Sequence, residues 1–260
     1  MMMSNSKLVS YTKWSPNNSG KRNHKIDRIS PHCVVGQCSV ETLGAIFANP
    51  SRQASCQYGI GKDGRVGQYV SEADRSWCTS SAENDNRAVT IECASDTTSP
   101  YKMNSKVYAT LIKLCVDICK RNGKNKLIWF GNKSKSLNYA PKSNEMVITV
   151  HRWFANKACP GDWLYNRLGK LANEVTKKLG GSTPSPTPAP KPTPAPTGSY
   201  KVKITTKTLN IRKGPSIKYA IVGTVHKNEI YTIVETKSGW GKLKSGAGWI
   251  YLTGYTKKVK

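Results

Sequence analysis

Apolar residues recur every three to four positions in three stretches of the first 180 residues, as in helices that bury one face. The first predicted helix begins after Ser39 and ends before Pro50. The second spans residues 105–121, and the third follows Asp162 and continues to Leu179. Each helix is therefore expected to pack one apolar stripe against a core.

Between these helices the apolar pattern has the shorter period of strands. In residues 89–93 apolar positions alternate with polar ones, which places Glu92 on the face opposite to the apolar set. Residues 126–130 and 146–150 are predicted to be further strands, and residues 56–70 a hairpin around an Asp-Gly turn. Strands that alternate with helices predict an α/β fold, with a central mixed β-sheet flanked by helices.

Two stretches carry mostly polar residues and turn-forming dipeptides. Residues 1–27 are predicted to be a loop-like arm that packs on the domain through Tyr11 and Trp14. Residues 74–88 are predicted to be a polar loop that leads into the following strand. Neither stretch has the periodicity of a helix.

The composition changes sharply after residue 181. Residues 182–198 alternate proline with small and polar residues, which predicts a semi-rigid polyproline II linker. From residue 199 onward short β-type runs are separated by glycine turns, a pattern typical of a small all-β barrel. We therefore predict a first domain over residues 1–181, a linker over 182–198 and a second domain over 199–260.

The balance of charges is strongly basic, with 41 Lys and Arg against 15 Asp and Glu and a formal charge of +26. Such a charge keeps a chain in solution and favours polyanionic partners, among them nucleic acid, anionic membranes and the teichoic acids of a Gram-positive wall. A nucleic-acid partner is not expected, because no recognition motif with interleaved aromatic residues accompanies the charge. No apolar run is long enough to span a bilayer and residues 1–16 lack a signal-peptide pattern, so synthesis in the cytoplasm is expected.

All eight cysteines precede the predicted linker. In a chain that folds in a reducing cytosol, most of them are expected to remain small buried hydrophobic residues rather than to form disulfides. Cys33 follows His32 in a predicted strand and is therefore expected to point to the opposite face, away from any metal bound by that histidine.

One pair of residues has the chemistry of a metal site. His151 ends the apolar run at residues 146–150, and Cys159 follows it by eight positions, directly before a Pro-Gly pair. Of the other three histidines, one lies in a polar basic segment and one near the C-terminus, which leaves His32 at the end of a short β-type run. Two His and one Cys with an open fourth position are typical of a catalytic Zn²⁺ site.

On these residues the chain resembles the zinc-dependent N-acetylmuramoyl-L-alanine amidases shared by phage lysozyme-amidases and peptidoglycan recognition proteins. The resemblance covers roughly residues 20–180 and rests on His32, His151 and the Lys-Ala-Cys-Pro-Gly run at 157–161. It implies that the two His and the Cys hold Zn²⁺, and that the enzyme hydrolyses the amide between muramic acid and L-alanine. Where many members have Trp-His-Ala-Gly, this chain has Trp-Cys-Thr-Ser at 77–80, so the resemblance implies no substrate contact in that loop.

Amide hydrolysis also needs a base and a group that stabilises the oxyanion. Glu92 is the candidate base, provided that its strand face opens to the cleft, and a structural hydrogen bond is the alternative. Lys157 and Tyr58 are candidate oxyanion stabilisers through the resemblance, because related amidases carry a Tyr near the zinc at the position of Tyr58. The alternatives are a solvated surface lysine and a strand aromatic buried for packing.

The second domain resembles the bacterial SH3 family over residues 200–257, through its Leu-Asn-Ile-Arg-Lys-Gly-Pro start and Gly-Trp-Ile end. The resemblance implies cell-wall binding, and the abundant lysines suit an anionic wall polymer. Trp240, Trp249 and Tyr219 are candidate groove aromatics for the wall, with burial in the core as the alternative.

Together these features predict a zinc-dependent peptidoglycan amidase, of the kind that a phage or prophage uses as an endolysin against a Gram-positive host and that reaches the wall after release from the cytoplasm. Two other functions remain open. One is a non-catalytic peptidoglycan-binding protein, which the presence of Cys159 disfavours, and the other is a zinc peptidase that cuts within the stem peptide.

Overall fold

The structure is a computed structural model that describes residues 5–181, 199–217, 219–237 and 239–259. The chain divides into two units, Met1–Pro184 and Ser185–Lys260. The predicted polyproline linker over residues 182–198 lies outside the described residues. The two units are therefore described separately.

A seven-stranded mixed sheet forms the centre of the first unit. The strands of this unit are β1 (Val9–Thr12), β2 (Asn18–Lys21), β3 (Arg28–Cys33), β4 (Tyr58–Ile60), β5 (Val66–Gln68), β6 (Asp74–Ser76), β7 (Ala88–Cys93), β8 (Lys126–Ile128) and β9 (Glu145–Ile148). Their order in the sheet is β1-β5-β4-β7-β3-β9-β8, while β2 and β6 pair separately. Only the hairpin strands β4 and β5 run antiparallel within this sheet, so β3, β7 and β9 end at one common edge.

Helices cover both faces of the sheet, which confirms the predicted α/β class. They are α1 (Val40–Ala48), α2 (Ala82–Arg87), α3 (Ser105–Arg121), α4 (Lys133–Asn138), α5 (Gly161–Tyr165) and α6 (Leu168–Lys178). Helix α1 packs over β4 and β5 through Leu43 and Phe47, whereas α3 and α6 fill the larger core on the other face. No helix among the described residues combines the length and apolar character needed to cross a bilayer.

The first two predicted helices begin at side-chain caps that the sequence contains. The Ser39 hydroxyl accepts a hydrogen bond from the backbone N–H of Thr42 at 3.2 Å, and Asn104 caps Val107 in the same way at 3.0 Å. Helix α3 spans the predicted residues and buries an apolar stripe formed by Val107, Leu111, Ile112, Leu114, Cys115, Ile118 and Cys119. Both helices are confirmed.

The prediction of one continuous helix from Asp162 to Leu179 was wrong. The helix is interrupted between α5 and α6. In a continuous helix the carbonyl of Trp163 would accept the backbone N–H of Arg167, but here it accepts the side chain of Arg167 instead. Its guanidinium donates to the carbonyl of Trp163 at 2.9 Å, while its backbone N–H donates to that of Leu164 at 2.8 Å. The guanidinium also stacks on the Trp163 ring at 4.2 Å, which holds the tight turn in place.

The two stretches predicted as loops contain more structure than expected. The N-terminal arm contributes β1 and β2, and of its two proposed anchors Tyr11 packs on the core while Trp14 is 57% exposed. Residues 74–88 form β6 and the short helix α2, which Ser81 caps by accepting from the backbone N–H of Asn84. Polar composition concealed these elements because pairing and capping, rather than an apolar stripe, hold them.

The described residues of the second unit form an all-antiparallel sheet around a small apolar core, as predicted for the C-terminal part. Its strands are β10 (Tyr200–Ile204), β11 (Thr208–Arg212), β12 (Ile221–His226), β13 (Ile230–Lys237), β14 (Trp240–Leu243), β15 (Trp249–Tyr251) and β16 (Thr256–Val259). They follow the order β12-β11-β15-β14-β13-β10-β16.

Candidate metal centre

Parallel pairing of β3 and β9 brings two histidines together. Ile29 pairs with Ile148, and each histidine lies three residues beyond its paired isoleucine. His32 and His151 therefore reach the same sheet edge, with ring centroids 5.2 Å apart. Since the two residues are 119 positions apart in the chain, this approach depends wholly on strand register.

A loop after His151 returns Cys159 to the same place. Arg152 holds this loop: its backbone N–H and its Nε both donate to the carbonyl of Cys159, at 3.2 and 3.3 Å. Its guanidinium also donates to the carbonyl of Ala158 and, at 2.9 Å, to the carboxylate of Asp162. Arg152 was not predicted from the sequence, although its position directly after His151, with an Asp shortly after Cys159, could have indicated this role.

The three ligand atoms of His32, His151 and Cys159 lie within 4.8 Å of one another. The Nδ1 atom of His32 is 3.2 Å from Cys159 Sγ. Tetrahedral Zn²⁺ with bonds of about 2.0 to 2.3 Å separates its ligands by roughly 3.5 Å, so the observed distance suits such an ion. Two imidazoles and one thiol also form a donor set that Zn²⁺ favours.

Burial keeps these three groups uncharged in the protein without a metal. It lowers the pKa of His32 to about 3, with a further contribution from the charge of His151. Burial and the neighbouring Lys157 lower the pKa of His151, and burial with a hydrogen bond from Cys33 raises the pKa of the Cys159 thiol. Both imidazoles therefore have a free lone pair at neutral pH, and a metal has only the Cys159 proton to displace.

Glu92 lies beside this cluster, as its alternation in β7 predicts. It pairs with His32 across the β3–β7 ladder, and its Oε1 is 3.8 Å from His32 Nδ1. Its Oε2 is buried and has no hydrogen-bond partner among the described residues. Burial raises the pKa of Glu92 to about 7, against a smaller opposing effect of Arg52. A carboxyl with this environment exchanges a proton near neutral pH.

Comparison with known proteins identifies the family. Residues 15–162 match the sequence model of a family described as N-acetylmuramoyl-L-alanine amidase, and this match covers more than half of the chain. The chain belongs to the N-acetylmuramoyl-L-alanine amidase family. Residues 207–257 match the model described as bacterial SH3 domain. The first unit is thus an amidase domain and the second carries an SH3 domain.

Solved structures of an endolysin and of an amidase are similar to part of this chain. A mutant endolysin from Bacillus subtilis is 14% identical, over 64% of this chain and 99% of its own, with a TM-score of 0.46. An amidase from Clostridium intestinale, LysC, is 16% identical, over 66% of this chain and 95% of its own, with a TM-score of 0.45. No curated protein matches the chain.

The amidase domain has a cleft of about 920 Å³ above the metal-site residues. Its wall includes Glu92, His151, Lys157 and Cys159, so the structure brings the predicted Lys157 to the site with its side chain exposed. Cys33 lies largely in the core on the opposite face from His32, as predicted, but at the strand end it also lines the cleft and contacts Cys159. All eight cysteines are free thiols, and six of them are buried.

The prediction that Tyr58 stabilises an oxyanion was wrong, because its side chain does not face the candidate metal site. Tyr58 pairs with Ile91, not with Glu92, and neighbouring residues of a strand point to opposite faces. Its fully buried hydroxyl donates to Glu72 at 2.6 Å and accepts from the backbone N–H of Ser6 at 2.9 Å. Arg121 completes this network by donating to the same carboxylate. Tyr58 is therefore a structural residue of the other face of the sheet.

Further contacts at the amidase site come from the segment in which the chain departs from the family pattern. Cys78 Sγ lies 3.4 Å from His32 Nε2, and Ser80 Oγ lies 3.0 Å from His151 Nε2. Neither contact was predicted from the sequence, where only the departure itself was visible. Nothing in the sequence shows this connection, because it depends on how the loop folds over two distant strand ends.

The SH3 domain contains a groove of about 630 Å³. Of the three predicted groove aromatics only Trp240 lines it, together with Tyr251 and Tyr255. Trp249 is 9% exposed and belongs largely to the interior, and the exposed Tyr219 packs its ring against Gly214 outside the groove lining. Trp240 thus lies in a groove beside Tyr251 of β15 and Tyr255 of the following turn, and its contact with the wall stays a prediction.

Proposed function

We propose that this amidase is a zinc-dependent peptidoglycan hydrolase that cleaves the amide between N-acetylmuramic acid and L-alanine. The observation that carries the proposal is the convergence of His32, His151 and Cys159 at one sheet edge, beside the buried carboxyl of Glu92. The family match supports the reaction class. An amidase domain joined to a bacterial SH3 domain supports an endolysin of a phage or prophage that acts on a Gram-positive wall.

The two His and the Cys would hold the ion, with His32 using Nδ1. When bound, Zn²⁺ supplies Lewis-acid chemistry: it polarises a carbonyl and makes water a nucleophile near neutral pH. The chain orients this centre through ordered elements: His32 lies in β3, His151 begins a 3-10 turn three residues after β9, and Arg152 holds the Cys159 loop.

Glu92 is positioned to move the protons of the reaction. Its unpartnered Oε2 accepts a proton from the attacking water and delivers it to the departing amine of L-alanine. A pKa of about 7 suits both transfers, because neither protonation state of Glu92 is strongly disfavoured. The ammonium group of Lys157, exposed at the cleft, stabilises the negative charge that develops on the carbonyl oxygen.

The SH3 domain holds the enzyme on its substrate. Trp240, Tyr251 and Tyr255 offer flat apolar surfaces in a groove of a size that suits a wall peptide or saccharide. The formal charge of +26 adds long-range attraction to an anionic wall polymer such as teichoic acid.

Digestion of purified Gram-positive peptidoglycan with and without a chelator tests the reaction. We expect new L-alanine amino termini and free muramoyl lactyl groups by mass spectrometry, lost on chelation and restored by Zn²⁺. New ends within the stem peptide would instead identify a peptidase. Walls that bind the protein but show no new ends would identify a binding protein.

Replacement of the Cys ligand tests the metal site. Cys159→Ala is expected to lose bound Zn²⁺ and wall hydrolysis together, because only two protein ligands remain. Cys115→Ala removes another buried thiol, in α3, and serves as the matched control that keeps both. Full hydrolysis by metal-free Cys159→Ala would contradict the proposed mechanism.

A further inference from the structure

The segment formed by Cys78, Thr79 and Ser80, called here the 78–80 segment, touches both candidate ligand histidines. It reaches the Nε2 atom of each ring: Cys78 Sγ at 3.4 Å from His32 and Ser80 Oγ at 3.0 Å from His151. The other ring nitrogen of His32, Nδ1, is the one that faces Cys159. One short segment therefore contacts the Nε2 atoms of both imidazoles.

Two residues of α2 hold the segment firmly. The carboxylate of Asp85 accepts from the backbone N–H of Cys78 at 3.1 Å, from that of Thr79 at 3.2 Å and from the Thr79 hydroxyl at 2.7 Å. The neighbouring Asn84 amide donates to the Thr79 hydroxyl at 3.3 Å. Every residue named here is buried, which makes these hydrogen bonds costly to break.

The same network reaches the strands that carry the histidines. Asn84 donates to Ser30 Oγ of β3 at 3.2 Å and accepts from Thr149 Oγ1, just after β9, at 3.0 Å. The Oγ atom of Ser30 lies 2.6 Å from Oγ1 of Thr149, and this hydrogen bond joins β3 directly to the residue that follows β9. Ser30 and Thr149 each lie two positions before a candidate ligand histidine. One set of hydrogen bonds therefore fixes the position of the 78–80 segment relative to both rings.

The last residue of the segment has a strained backbone conformation. Ser80 has a φ of 62°, in the left-handed region that residues with a side chain rarely adopt. Such a conformation persists where the surroundings hold it, and it is found preferentially at active sites. Here it aims the Ser80 hydroxyl at His151.

We propose that Cys78 and Ser80 are positioning residues that accept hydrogen bonds from the Nε2–H groups of His32 and His151, and so leave both Nδ1 lone pairs for the metal. The inference rests on the proposed zinc site and extends it. A neutral imidazole has one N–H and one lone pair, so an acceptor at Nε2 selects the tautomer that binds metal through Nδ1 and fixes the ring orientation. Neighbours of this kind usually contribute about 10- to 100-fold to metal affinity.

Zinc affinity of the full-length protein, measured by competition with a chromophoric chelator, tests the proposal. We expect Cys78→Ala and Ser80→Gly each to bind Zn²⁺ about 10- to 100-fold more weakly than the parent. Ser80→Gly removes the hydroxyl without straining the backbone, because glycine tolerates a positive φ. Cys78→Ser keeps an acceptor and is expected to bind more tightly than Cys78→Ala, while Cys115→Ala, a buried thiol away from the site, is expected to match the parent.

Two spectroscopic readouts separate positioning from other roles. In the zinc-loaded parent, ¹⁵N NMR is expected to show both histidines protonated at Nε2, and Ser80→Gly is expected to lose this uniform state at His151. In the Co²⁺-loaded protein, the thiolate-to-metal absorption is expected to remain in Cys78→Ala and to vanish in Cys159→Ala. A loss of half the absorption in Cys78→Ala would make Cys78 a ligand and overturn the positioning role.

Unchanged zinc affinity in both Cys78→Ala and Ser80→Gly would also overturn the inference, while leaving the zinc site intact. A parent protein that binds no Zn²⁺ would overturn the proposed function and the inference with it. Thermal melting of the metal-free variants serves as the folding control. Because Ser80 is exposed, Ser80→Gly tests the proposal even if the buried Cys78 variants melt early.

Discussion

At the scale of single residues, Glu92 and Tyr58 lie on neighbouring strands but point to opposite faces of the sheet, one toward the candidate site and one into the core. Glu92 stands in the row of His32, on the face of the sheet that opens to the cleft. Tyr58 pairs with Ile91, one position earlier, and so points into the opposite layer. A shift of one residue in the pairing register therefore decides whether a side chain faces the candidate site or the buried core.

Glu92→Gln is expected to lower kcat by about 10²- to 10⁴-fold, because the amide keeps the shape of the side chain but accepts no proton in the reaction. Zinc content is expected to stay at the parental level, since Glu92 is not among the three proposed ligands. Hydrolysis of a soluble muropeptide, measured beside metal analysis, checks both. Parental turnover in Glu92→Gln would remove Glu92 from the mechanism.

Tyr58→Phe is the matched control on the other face of the sheet. The substitution removes the hydroxyl that accepts a hydrogen bond from the backbone N–H of Ser6 and donates one to Glu72. The free energy of unfolding is therefore expected to fall by about 1 to 3 kcal/mol in urea titrations. Turnover by the folded enzyme is expected to remain parental. A large loss of kcat at unchanged stability would restore the catalytic role for Tyr58.

At the scale of elements, the close approach of α1 to the hairpin depends on glycines. A Cβ at Gly59 would lie 2.7 Å from both Leu43 and Tyr69, and one at Gly67 would overlap the Tyr69 hydroxyl and lie 2.8 Å from its ring. That hydroxyl donates to the carbonyl of Val40 at 2.8 Å, which ties α1 to the sheet. Helix α1 carries Phe47, part of the cleft wall, so this packing also shapes the site.

Gly67→Ala is expected to lower the free energy of unfolding by about 1 to 3 kcal/mol, because the added methyl group pushes Tyr69 away from α1. Gly169 in α6 offers the opposite case, since a Cβ there meets only Trp129 at 3.6 Å. Gly169→Ala is expected to raise stability by roughly 0.5 to 1 kcal/mol through helix propensity. Urea unfolding of both variants checks the signs, and equal effects would contradict the packing argument.

For the molecule as a whole, the proposed functions of catalysis and wall attachment belong to separate units, each with its own apolar core. A tether that keeps the enzyme on an insoluble substrate raises the effective concentration of cleavable bonds without altering the active site. Loss of wall attachment should therefore reduce lysis of cells and leave cleavage of soluble fragments intact.

Tyr255→Ala tests this division, because Tyr255 is 44% exposed and lines the SH3 groove. We expect about tenfold weaker sedimentation with purified walls, the loss usual for a central aromatic contact, and parental hydrolysis of a soluble muropeptide. Tyr219→Ala removes an aromatic residue of similar exposure outside the groove lining and is expected to bind walls more strongly than Tyr255→Ala. Weaker wall binding by Tyr219→Ala than by Tyr255→Ala would instead indicate that Tyr219 contacts the wall.

Several features of the protein followed from the sequence by itself. The helices α1 and α3, the hairpin of β4 and β5, the all-β C-terminal unit and the residue types of the metal site all showed in the sequence. Periodicity, caps and turn dipeptides act over a few residues, so a single chain segment contains their full signal. The candidate His and Cys ligands could be recognised in the sequence because few side chains have their chemistry and the spacing between His151 and Cys159 is short.

Only the tertiary structure decided which of these residues meet. The register of β3 against β9 brings His32 to His151, the register of β4 against β7 turns Tyr58 away, and the fold of the 78–80 segment brings Cys78 and Ser80 to the rings. The guanidinium of Arg167 likewise ends a helix that its apolar stripe would continue. These outcomes depend on contacts between distant segments, where a shift of one residue in register reverses the face of every side chain.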